Sequence, residues 1–84
     1  MKVYVVAWEY IGGGGFDWYY TKESALTEFN AEKEICKEFK EDEWTAAYFE
    51  YQSSANEVDD ITDEIDANLC FLFDDAKLKY REVK

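Results

Sequence analysis

Residues 57–66 read EVDDITDEID, a stretch in which Glu57, Asp59, Asp60, Asp63, Glu64 and Asp66 are carboxylates and nothing is basic. Clustered carboxylates can bind a hard cation, share protons as an acid–base pair, or present a negative surface to a basic partner. The first option fails the best-known pattern. An EF-hand loop needs alternate oxygen ligands, a glycine at its sixth position and a glutamate at its twelfth. Counting from Asp59 or Asp60, the sixth position is Glu64 or Ile65. A non-standard divalent site is the metal reading that survives. The second option needs a nucleophile with a base, or a tuned acid pair. The chain has no histidine, so it has neither an imidazole base nor a histidine ligand. Carboxylate pairs are too common here for any one to stand out. No catalytic residue, metal or cofactor is expected, and the chain does not read as an enzyme.

The third option gains from the distribution of charge. The net charge is −11. From Glu41 to Ala76 there are 12 carboxylates, beginning with Glu41, Asp42 and Glu43, and no lysine or arginine. The rest of the chain carries 8 acids against 9 bases. Like charges at helical i,i+4 spacing cost about 0.2–0.5 kcal/mol per pair, so selection for folding alone favours interspersed lysines. Such a face either solubilises the protein or docks it. Carboxylates on neighbouring helical positions lie roughly 5–6 Å apart, comparable with phosphates along a nucleic-acid strand. The expected partner is therefore a protein with a basic nucleic-acid-binding groove. Nucleic acid itself and anionic membranes are excluded by like charge. The expected contact residues are the carboxylates of 57–66, supported by Glu41, Asp42 and Glu43.

What must position them is a single domain, residues 1–84. Aromatic residues make up 19% of it, enough large rings to build a core in a short chain. KVYVVAWEYI, 2–11, is apolar on both faces and reads as a central strand covered on both sides. Gly12–Gly15 break it, and FDWYY, 16–20, reads as the second strand of a hairpin. Thr21 is a good N-cap for a helix from Lys22 to about Lys40. Ala25, Phe29, Cys36 and Phe39 form its apolar stripe, and Glu28, Glu34, Glu38 and Glu41 face away. Residues 44–51 read as a third strand. Val58, Ile61, Ile65 and Leu69 recur at helical spacing, which predicts a short helix over 56–67. CFLF, 70–73, and LKYREV, 78–83, read as fourth and fifth strands. The expected class is α+β: a mostly antiparallel sheet of about five strands, one long and one short helix, in the order β-β-α-β-α-β-β, with the helices on one face. The fifth strand is an edge that could pair with a second copy, although Lys77, Lys79 and Arg81 oppose this.

Other features carry less. Gly12–Gly15 lack the spacing and the lysine of a phosphate loop. A glycine hairpin tipped by Phe16 and Trp18 could instead contact a partner, leaving the acid as a solubiliser; that is the alternative reading. Cys36 and Cys70 form no CxxC pair and sit among apolar neighbours, which predicts two buried, reduced thiols, with a disulfide as the alternative. The N-terminal run is broken by Glu9 and does not read as a secretory signal. No stretch approaches the ~20 apolar residues of a membrane span.

The segment VYVVAWEYIGGGGFDWYYTKESALTEFNAEKE, residues 3–34, resembles the strand–loop–strand–helix opening of small accessory proteins of phages and mobile elements. TKESALTEF carries the likeness, and its motif is generic. In size and acidity the whole chain is similar to anti-CRISPR proteins and other DNA mimics. The resemblance implies an inhibitor of a bacterial defence complex, such as a CRISPR effector, acting in the cytoplasm of the host cell. It carries over no residue by position.

Overall fold

The computed structural model describes residues 1–10, 12–38 and 44–82, with 77–82 described as helix backbone. The elements are β1 (Lys2–Tyr10), β2 (Gly13–Tyr19), α1 (Lys22–Cys36), β3 (Trp44–Gln52) and α2 (Val58–Glu82). The class is α+β, with two helices and an antiparallel sheet. The sheet has three strands among the described residues, in the order β2-β1-β3, not about five.

β1 dictates the arrangement. Val3, Val5 and Ala7 point to one face and are fully buried with Ile61, Ile65, Phe73 and Ala76 of α2. Val6 points to the other face and is buried with Ala25 and Phe29 of α1, beside half-buried Tyr4. The expected two-sided cover of this strand is present. The expected placement of both helices on one face is not. A strand apolar on both sides needs a layer on each, and the two helices supply one layer apiece.

The largest correction lies in α2. The fourth strand expected at 70–73 and the fifth expected at 78–83 both fall within this helix as far as Glu82, and Val83 lies outside the described residues. Ile61, Ile65, Leu69, Phe73 and Ala76 continue one inward stripe at spacings of four, four, four and three. CFLF therefore splits by helical geometry. Leu72 and Phe73 turn inward, while Cys70 and Phe71 turn out. At 1.5 Å per residue, 25 residues reach about 37 Å, matching the longest dimension of the molecule, 37 Å.

Of the four glycines only Gly12 lies in the turn. Gly13, Gly14 and Gly15 are the first residues of β2, opposite Tyr10, Glu9 and Trp8. Gly13 has φ 148°, which side chains rarely adopt. A Cβ on Gly14 would lie 2.6 Å from the Trp8 carbonyl oxygen. Thr21 caps α1 as expected: its Oγ1 accepts from the Ser24 N–H at 3.3 Å. The helix ends at Cys36, Lys37 and Glu38 form a turn, and the rest of the expected span, Phe39 and Lys40, lies outside the described residues. Glu28 does not face away; it is half-buried. That burial, followed by the charges of Asp17 and Glu32, pushes its carboxyl pKa up.

A continuous α2 makes a prediction. Ala67→Pro falls mid-helix and should cost about 3 kcal/mol or more, read as a lower urea midpoint. An unchanged midpoint would contradict a continuous helix.

Candidate functional site

α2 has an inside and an outside. Ile61 and Ile65 are fully buried and mark the side of the helix that faces the sheet. Asp59, Asp60, Asp63 and Asp66 are all exposed on that outer side, and Glu57 is exposed just before the helix. Asp74 and Asp75 are exposed further along. The structure thus brings four of the sequence-predicted carboxylates, Asp59, Asp60, Asp63 and Asp66, onto one side of one element. Ion pairs among the described residues include Lys2–Glu50 and Lys37–Glu34, neither of which involves Asp59, Asp60, Asp63 or Asp66. Asp59 and Asp60 lie in the first turn, where the helix dipole offsets part of their repulsion.

The mean density of charge, rather than an even spacing, compares with DNA. From Asp59 to Asp66 the helix rises about 10.5 Å. Four charges over that length give one per roughly 3.5 Å, against about 3.4 Å per charge along one strand of B-DNA.

Glu64 departs from the expectation. It faces β3 and the following turn rather than the outer surface. Its carboxylate accepts from the Tyr51 hydroxyl at 2.8 Å, the Ser53 hydroxyl at 3.1 Å, the Ser54 N–H at 3.3 Å and the Ser54 hydroxyl at 3.4 Å. Tyr51 above all, and then the serine donors, hold its pKa below the ordinary value. Tyr51 in turn is pushed up, by burial first and by Glu64 second. Ser53 is buried and its N–H donates to the Met1 carbonyl at 2.8 Å. Glu64 therefore ties α2 to the end of β3.

Phe16 and Trp18 belong to β2 and not to a loop tip. Both are half-buried and pack against the core under α2, and the Trp18 Nε1–H donates to the Thr62 hydroxyl at 2.9 Å. Glu41, Asp42 and Glu43 lie outside the described residues. The cysteines are unbridged. Cys36 is half-buried under α1, whereas Cys70 is exposed on α2, so the expectation of two buried thiols fails for Cys70.

Two features were not foreseen. Phe71 is 81% exposed on the outer side of α2, an unusual place for a ring that size. An open groove of about 500 Å³ runs between Gly13–Gly15 and the Leu69–Asp74 part of α2. Phe71 was hidden by the strand reading of CFLF. The groove exists because glycines leave that corner of the sheet without side chains.

Among the described residues, no cluster of three or more cysteines and carboxylates is arranged to hold a metal. No helix among them is long and apolar enough to cross a membrane. No protein-family model, curated protein or solved structure matches this chain.

The Glu64 contacts fix a pH dependence. A carboxylate held below its ordinary pKa of 4.5 adds stability that is present above that value and fades as pH falls through the folded-state pKa. Glu64→Gln should melt below the parent at pH 7. The gap should close as the pH is taken below about 4, as followed by thermal melts across pH.

Proposed function

We propose that this chain is a non-enzymatic binding protein that docks the outer face of α2 on a basic surface built for nucleic acid. One observation carries the reading: Asp59, Asp60, Asp63 and Asp66 are exposed on one helix side at phosphate-like density. The inner face of α2 accounts for its fold, and among the described residues no hydrogen bond or ion pair uses these four side chains. An array of this kind speeds association with a cationic groove and makes it sensitive to salt. Charge alone rarely supplies the anchor, because hot spots are mostly large rings or arginine. Phe71 offers such a ring on the same helix, one to two turns beyond Asp66. The resemblance to anti-CRISPR proteins makes bacterial CRISPR effectors the first partners to try. Inhibition then follows by occlusion, with no reaction and no cofactor.

The test is capture by the tagged chain from lysate of bacteria expressing CRISPR and restriction complexes. A nucleic-acid-binding complex should be retained at about 50 mM salt and released at about 500 mM, where screening is much stronger. Duplex DNA should displace it. Asp59→Asn, Asp60→Asn, Asp63→Asn and Asp66→Asn combined should abolish retention, and Phe71→Ala should weaken it by about 1–2 kcal/mol. Retention that survives the four substitutions contradicts the reading.

A further inference from the structure

Among the described residues β3 and β2 are the two edges of the sheet. β3 carries buried Thr45, Ala46 and Ala47, and both helices pack against its side chains. β2 is open: Gly13, Gly14 and Asp17 are exposed, and its other residues are only partly covered. β2 hydrogen-bonds to β1 alone. In an antiparallel ladder alternate residues turn their N–H and C=O away from the partner strand. Every second residue of 13–19 therefore offers a donor and an acceptor outward. Among the described residues, no backbone hydrogen bond from elsewhere in the chain meets them.

The usual guards on such an edge are missing. The chain has no proline, and no lysine or arginine stands between Gly12 and Thr21. Gly13–Gly15 put no side chain in the way of an approaching backbone. An unguarded edge is a template for another strand.

The charge beside it says which strand. Asp17 is the one carboxylate on β2, and Glu28 and Glu32 of α1 are near enough to interact with it or with each other. The ion pairs Lys2–Glu50 and Lys37–Glu34 involve none of the three. A second copy fits poorly, since it would bring another Asp17 and another net charge of −11 to the same edge. A strand carrying lysine or arginine would meet complementary charge.

We infer that the outer edge of β2 accepts an extended basic segment of another protein as a fourth strand. Main-chain hydrogen bonds to residues 13–19 supply the pairing, and Asp17 with Glu28 selects positive side chains. This surface is separate from the outer face of α2.

The probe is a fluorescein-labelled peptide of alternating lysine and valine, titrated with the full chain and followed by anisotropy. Its control alternates lysine with proline, which keeps the charge but removes N–H groups and fixes φ away from strand geometry. The lysine–valine peptide should bind at least about tenfold more tightly than the control, and Asp17→Lys should weaken it by a similar factor. Replacing the four α2 aspartates with asparagine should leave it within about twofold. Equal binding of the two peptides overturns the inference, because charge alone would then explain it. So does a loss with the α2 substitutions as large as that with Asp17→Lys. A free chain that sediments as a dimer with β2 amides protected from exchange also overturns it, since the edge would already be filled.

Discussion

The structure depends on the two apolar faces of β1. Val3, Val5 and Ala7 on one side and Val6 on the other are buried to about the same completeness. A three-stranded sheet with such a centre cannot leave either face to water. In a chain of 84 residues the cover must come from two helices, one per face. The face under α2 is the longer. It runs from Val3 beside Ile61 to Ala47 beside Phe73 and Ala76. A single helix of 25 residues spans it, where a short helix followed by two strands would leave half of it bare.

That requirement also places the charge. Once Ile61, Ile65, Leu69 and Phe73 are committed inward, the carboxylates at 59, 60, 63 and 66 can only point out. Repulsion along this row works against the helix, and the inward stripe with the Glu64 tether holds it in place. Folding and docking are thus divided between two sides of one helix. Glu64 is the exception that shows the rule: the one carboxylate of the stretch with hydroxyl and amide donors around it serves the fold instead.

Much of this was legible in the residues, and the failures have physical causes. The central strand, the Thr21 cap and the first half of α2 follow from β-branched content, a side-chain acceptor and a three–four rhythm. The second half of α2 was misread because a four-residue apolar run looks alike in a buried strand and a buried helix. The rhythm from Ile61 to Leu69 in fact continues to Phe73 and Ala76, and following it would have exposed Phe71. β2 was begun too late because glycine is poor in strands, yet Trp8 lies over Gly15, with the ring 3.0 Å from where a Cβ would sit. The acidic side of α2 was readable from Ile61 and Ile65. The role of Glu64 was not, since it rests on Tyr51, Ser53 and Ser54, brought close only by the turn after β3.

The central claim is that the outer carboxylates of α2 serve something other than folding. The most direct measurement is the thermal midpoint of Asp63→Asn/Asp66→Asn against the parent at about 50 mM salt, where surface charge is weakly screened. Both positions lie beyond the first turn, so the dipole contributes little there, and asparagine matches aspartate in helix propensity. The expected midpoint equals or exceeds that of the parent, because like-charge repulsion is relieved. A midpoint well below the parent would show that these carboxylates hold the fold together, and would contradict their assignment to a partner.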